Sequence, residues 1–281
     1  MAHEHERGRQ KATAISVEPA NTGRADFYSR HRARIRGTLT FLWVMLLWEA
    51  MARYGVRDER LLAPFSKVIT ALVNLFLSGE IWQHLSVSGY EFALGFLLAS
   101  LAGVTVGFLM GTVRIVRDYL DPWISGLYSA PLVALAPFFI MFFGVGVASK
   151  AALVFSVVVF PVVVNTFAGV YSVDPGMIEV ARSFNASRLQ ILFKVLIPSS
   201  LSYIVTGLRL GVGRGLTGVV VAEFFFANAG LGFLVALAGQ TFNTPLLFAG
   251  ILVFAVAGVA LIGGLKRLEK KLAPWRTLEE E

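Results

Sequence analysis

Apolar residues run in six long blocks along this chain, roughly 38–52, 89–111, 123–143, 151–171, 201–221 and 246–265. Most of the blocks approach the ~20 residues that a helix rising 1.5 Å per residue needs to cross about 30 Å of hydrocarbon. They are continuous rather than alternating, so they do not describe barrel strands, which need only about ten residues each. The pattern predicts an all-α polytopic membrane protein with six transmembrane helices. Composition agrees: 56% of the 281 residues are hydrophobic and 15% charged, where a soluble domain carries about 25% charged.

Outside the blocks, residues 1–36 hold eight Lys/Arg against four acids and read as a basic, disordered tail, and 277–281 form a short acidic one. Residues 37–276 are the membrane domain. The first block ends in Ala50, Met51 and Ala52, which resembles a signal-peptidase site, but the charged stretch before it is too long for a signal peptide. With the amino terminus inside, eighteen of the 25 Lys/Arg fall on the inner side and five on the outer, leaving Arg209 and Arg214 within a span. Cytoplasmic loops collect such residues, so both termini are expected in the cytoplasm. The net charge of +7 is then topological, and nucleic acid is not implied. Zero cysteines exclude a disulfide framework and a thiolate centre, and the four histidines lie outside the apolar blocks. Neither a metal site nor a catalytic residue is expected.

Two blocks carry glycine at every fourth position: Gly103, Gly107 and Gly111 in the second, and Gly207, Gly211 and Gly215 in the fifth. Each row bares one stripe of its helix, so a neighbouring backbone can approach closely and gain dispersion contacts that lipid does not supply. Both helices should be buried in the bundle. Pro131, Pro137 and Pro161 should kink the third and fourth spans.

The connection from Asp174 to Leu201 is too long for a simple turn and has helical logic of its own. Asp174 can cap a helix opened by Pro175, along which Met177, Val180, Ala181 and Phe184 recur at helical spacing. Asn185 suits a left-handed stop, Ser187 can cap a second helix, and Pro198 begins the return into the membrane. The product is a cytoplasmic helix pair with an apolar face that nothing obvious in this chain covers. A partner surface is implied.

Glu179, Val180 and Ala181, then three residues, Asn185, nine residues and Val195, Leu196, Ile197 and Pro198 resemble the EAA loop of permease subunits of binding-protein-dependent ABC importers. That pattern is EAA, three residues, G, nine residues, I, one residue, LP. Val180 stands where the family has alanine and Asn185 where it has glycine; Asn tolerates φ > 0 better than other non-glycine residues. The stretch 207–254 is similar to the taurine, nitrate and aliphatic-sulfonate branch, and the resemblance covers about residues 60–276. It implies a type I importer permease fold in which loop 174–198 is a coupling helix seated on a separate ATPase. There Glu179 would offer a carboxylate to a basic group, Ala181 would permit close approach and Asn185 would make the turn. The resemblance also implies a second copy of the chain, two cytoplasmic ATPase subunits, an extracytoplasmic solute-binding protein and a place in a bacterial inner membrane. ATP and Mg would sit in the partner, leaving this chain without a cofactor and without enzymatic activity. A sulfonate, nitrate or bicarbonate is the implied kind of solute, though similar permeases serve aromatic and vitamin-precursor solutes.

The residues themselves offer little chemistry. The string nearest to a phosphate-binding loop, 144–151 (GVGVASKA), lacks the second glycine and the hydroxyl of GxxxxGK[ST] and reads as an external turn. Asp118 and Asp121 have no second acidic cluster to form a Mg²⁺ site, and Asp121 reads as a cap before Pro122. Ionisable groups in or beside apolar blocks are Glu49, Glu91, Arg209, Arg214 and Glu223, and such groups are normally paired or face a watery cavity. Arg214 is expected either to border the pathway or to pair with Glu91 or Glu49; Arg209 and Glu223 are further pathway or gate candidates, and Arg209 needs a partner from another helix. The apolar stretch 224–245 reads as a re-entrant external element, with Phe224, Phe225, Phe226 and Gln240 as gate candidates or, for the aromatics, core residues. A secondary transporter driven by an ion gradient is the rival reading, with Glu49 and Glu91 as coupling acids, but it lacks the opposed repeats such carriers show.

Overall fold

The computed structural model describes residues 22–56 and 58–272, which form helices joined by short turns, with no strand among them. The first part of the basic tail (1–21), the outer cation Arg57 and residues 273–281, with the acidic tail, lie outside the described residues. The first helix, α1 (Thr22–Ala50), starts within the stretch expected to be disordered. Alanines and arginines are strong helix formers and neither glycine nor proline interrupts 25–36. It continues through a π-helical turn, Met51–Val56, so that Arg36–Val56 is long and apolar enough to span a membrane.

The remaining residues, from Ala52 on, form a separate unit. Its elements are α2 (Phe65–Leu77), α3 (Glu80–Thr112), α4 (Arg114–Ser129), a 3₁₀ turn (Leu132–Leu135), α5 (Ala136–Phe143) and α6 (Val147–Tyr171). There follow α7 (Pro175–Ser183), α8 (Arg188–Ile191), a π turn (Leu192–Leu196), α9 (Ile197–Phe226), α10 (Leu231–Gln240) and α11 (Thr244–Leu272).

The centre is α6, held between α3 and α9. A Cβ at Gly95, Gly103, Gly107 or Gly111 of α3 would come within 2.6–2.8 Å of Val154, Val162, Thr166 or Val170 of α6. The two helices therefore run parallel in fixed register. Ala99, fully buried, fills the remaining place in this row. On the other side Gly207, Gly211 and Gly215 of α9 meet Asn165 and Val158 of α6 and Phe92 of α3, with virtual Cβ contacts of 2.9–3.0 Å. Both glycine rows thus do what their spacing predicts. Val158, Val162, Val212 and Val219 form the enclosed core between them.

The third span departs from expectation. In place of one kinked helix over 123–143, α4 and the segment Leu132–Phe143 meet at 86°. Pro131 has no N–H to give and pushes Ala130 into an extended conformation (φ −75°, ψ 147°), which ends α4 outright. Pro137 stands in the first turn of α5, where proline starts helices. Asp121 caps nothing, because Pro122 lies inside α4; Asp118 instead faces Arg114 and Arg117 at 3.6 and 3.7 Å. Pro161 is carried within the single helix α6.

Candidate functional site

At the end of the bundle where α6 finishes and α9 begins, the chain turns a tight corner. The Asp174 carboxylate accepts from Gly176 N at 2.8 Å and caps α7. Asn185 sits at φ 57°. Its N–H reaches the Arg182 carbonyl at 2.8 Å while Ala186 N reaches Ala181 O at 3.1 Å, the paired bonds of a left-handed helix stop. Ser187 and Gln190 then form a reciprocal capping box on α8. All three signals were legible in the sequence. One expectation changes: α8 is not a free second helix but the first turn of a helical rod, Arg188–Phe225, within which Pro198 stands in the first turn of α9, where the return into the bundle begins. The corner is therefore rigidly joined to α9.

The faces of the corner are bare. Met177, Val180 and Phe184 are 52%, 58% and 83% exposed. Glu179 is exposed beside them and Ala181 half-buried. Ala181, one turn from Met177 and from Phe184, carries nothing beyond Cβ on the face they share.

The opposite end holds a polar cluster that the sequence reading did not assemble. Lys150, expected in an external turn, is buried and binds Glu91 at 2.7 Å. Its place follows from the seam: Glu91 is one step up the row that continues through Gly95, and Lys150 is one step up the row through Val154. Nearby, Glu223 lies inside α9 and is 1% exposed. It accepts from Ser88 Oγ at 2.6 Å and from Gly232 N at 2.5 Å. Leu231 N donates to Ser88 Oγ at 2.7 Å and Gly230 N to His84 Nδ1 at 3.1 Å. Three consecutive N–H groups at the start of α10 are thus taken up by α3 and α9, and the carboxylate complements the positive end of α10. A Cβ on Gly230 or Gly232 would collide with the Glu223 carboxylate, so the sequence signal was a buried acid followed by glycine at seven and nine residues.

The other candidates are spread out. Arg209 binds Glu269 of α11 at 2.9 Å, a partner from another helix as expected. Arg214 pairs with neither Glu91 nor any acid of the cluster; its guanidinium lies 4.8 Å from the centre of the Tyr128 ring. Phe224 and Phe225 are about half exposed, so they are not core residues, and Gln240 is exposed at the end of α10. The stretch expected to be re-entrant is α10, an apolar helix packed through Leu231 and Leu234 on α2, α3 and α11. An apolar hollow of about 650 Å³ lies between α3, α9 and α11, but Phe92, Phe96, Leu216 and Phe254 line it, and such walls suit no hydrated ion.

A helical membrane bundle with two glycine-packed seams and a rigid corner standing clear of it has the architecture of a transport permease. Residues 99–274 match the family described as binding-protein-dependent transport system inner membrane component, and the chain belongs to it. It is 36% identical over 246 residues to an aliphatic sulfonates transport permease protein of Bacillus subtilis, covering 88% of this chain and 89% of that one. It is also 36% identical over 244 residues to the taurine transport system permease protein of Escherichia coli, covering 85% and 88%. A formylaminopyrimidine transport permease protein of Halalkalibacterium halodurans is 30% identical over 239 residues, covering 85% and 95%. Among solved structures, an inward-facing methionine ABC transporter superposes with a TM-score of 0.54 at 18% identity, over 68% of this chain and 94% of that one. An amino acid ABC transporter gives 0.51 at 18% identity, over 71% and 97%. The shared fold is that of ABC importer membrane subunits.

Proposed function

We propose that the chain is the membrane-spanning subunit of an ATP-driven importer, that two copies wall the pathway for a small anionic solute, and that the α7–α8 corner docks on a separate ATPase. The observation that carries the docking is the corner itself: capped at both helices, fixed at Asn185, and uncovered over Met177, Val180 and Phe184. Burying each of these side chains in an ATPase groove would contribute roughly 1.5–3 kcal/mol. Glu179 supplies the charged contact and Ala181 the close approach, while Pro198 lies in the rod that carries the push into α9. When ATP closes two ATPase subunits, the two corners are drawn together and the bundles rotate as rigid bodies, opening toward a solute-binding protein on the far side. ATP and Mg belong to the ATPase. The basic residues at the corner end, among them Arg114, Arg182, Arg188, Lys194 and Lys270, support reading that end as the cytoplasmic side of a bacterial inner membrane.

An anionic solute is supported by the sulfonate and taurine permeases at 36% identity. The formylaminopyrimidine relative supports an aromatic solute, such as a pyrimidine ring, as the second reading. The docking is tested with Ala181→Trp. The variant should insert and melt like the unmodified chain while ATPase copurification and stimulation fall about ten-fold or more, as for a central interface position. Full stimulation in Ala181→Trp overturns it.

A further inference from the structure

The face of α9 turned away from α6 carries an arginine that the fold leaves uncovered. Arg214 lies near the middle of α9, and Thr206, Gly213 and Thr217 share its exposed stripe at helical spacing. The two threonine hydroxyls donate back into their own helix, to Ser202 O at 2.8 Å and Gly213 O at 3.2 Å, so Arg214 is the charged donor this stripe presents. A guanidinium aimed at hydrocarbon is costly, and membrane proteins turn such groups toward a watery cavity.

What lies beside Arg214 points the same way. Tyr128, whose ring faces the guanidinium at 4.8 Å, is the penultimate residue of α4, immediately before the break at Ala130 and Pro131. Unwound backbone at membrane depth persists where it is enclosed by protein or lines water. The 3₁₀ turn after the break packs on α6 and α9. A discontinuous span and a membrane-depth cation thus meet at one level of the bundle, an arrangement that membrane carriers use to hold solute charge. The Tyr128 ring attracts the cation without accepting its N–H groups in a hydrogen bond, and a guanidinium's forked N–H groups suit a planar or tetrahedral oxyanion.

We propose that Arg214 is the intramembrane point at which the pathway recognises an oxyanion, and that Tyr128 is its positioning residue. This rests on the permease reading and deepens it. The absence of cysteine from the chain gives a clean background for the test. Thr217→Cys, one turn from Arg214 on the same stripe, is reacted in membrane vesicles carrying the full chain with an anionic sulfonatoethyl and a cationic trimethylammonioethyl methanethiosulfonate. Both reagents should label it, the anionic one faster. Arg214→Gln should lower the anionic-to-cationic rate ratio about ten-fold, and Arg214→Lys should keep most of it. Tyr128→Leu should lower the ratio about three-fold while Tyr128→Phe leaves it unchanged, which separates positioning from a structural role. Val256→Cys, on the apolar exposed face of α11, is the unlabelled control. A Thr217→Cys thiol that neither reagent reaches, or a ratio indifferent to Arg214→Gln, overturns the proposal and leaves the permease reading to its own ATPase test. Should Arg214→Gln fail to reach the membrane, the pair Tyr128→Leu and Tyr128→Phe decides.

Discussion

The α3–α6 seam and the α7–α8 corner both present bare helical surface, and they differ in what covers it. Along the seam the bareness comes from glycine and alanine, and the opposing helix fills every gap down to 2.6–2.8 Å. At the corner the exposed groups are Met177, Val180 and Phe184, large side chains that a closed fold would have buried. Small residues bare toward a partner in the same chain make a fold; large apolar residues bare at the end of the bundle, rather than along the flanks of its spans, are what the proposed docking would cover. The seam should therefore control stability and the corner association, with little exchange between them.

The largest break in that comparison is Gly107→Leu. Its Cβ alone would come within 2.6 Å of the Thr166 Cβ and 2.7 Å of the Val163 carbonyl, backbone that cannot move aside. The loss should exceed about 3 kcal/mol, leaving no monodisperse species on size exclusion in detergent. Phe184→Ser should melt within about a degree of the unmodified chain, because the side chain is 83% exposed. A Phe184→Ser chain that unfolds, or a Gly107→Leu chain that does not, would erase the distinction.

Both regions were legible in the sequence because each rests on a local rule. Glycine at every fourth place bares one stripe whatever helix comes to meet it, and Asp174, Asn185 and Ser187 announce caps within a turn of themselves. The polar cluster was not legible because it depends on register across the chain. Lys150 meets Glu91 only because the seam fixes the offset between α3 and α6 for their whole length, and nothing near Lys150 in sequence tells a buried lysine from a loop one. The break in the third span lay between these cases. Pro131 was visible, but whether a membrane proline bends or ends a helix depends on how the freed backbone groups are satisfied, which is a tertiary property.

The cluster gives a second, smaller contrast, since it closes the seam with charge where the rest of the seam uses glycine. Lys150→Met strands Glu91, which is 1% exposed, and should cost about 3–5 kcal/mol. Adding Glu91→Leu to Lys150→Met removes the stranded charge and should restore most of that loss, because a buried ion pair is worth little over a packed apolar pair. Thermal melts of the two single variants and the double close the cycle. A double variant no better than Lys150→Met would mean that Glu91 serves Ser88, Glu223 and α10 as well as Lys150.

The finest test lies at Asn185, where the resemblance to the EAA loop expects glycine. With φ at 57° and both bonds of the helix stop already made, the geometry at 185 is that of glycine. Asn185→Gly should leave stability within a few tenths of a kcal/mol, the easier φ being offset by the greater freedom of the unfolded chain. Asn185→Val keeps the size of the residue but loses the tolerance for positive φ, at a cost of about 1–2 kcal/mol confined to the end of α7. ATPase stimulation should therefore stay within about two-fold for the glycine variant and fall several-fold further for the valine one, while both melt with the unmodified bundle. A valine variant that couples fully would show that the partner grips α7 along its length and is indifferent to how the corner ends.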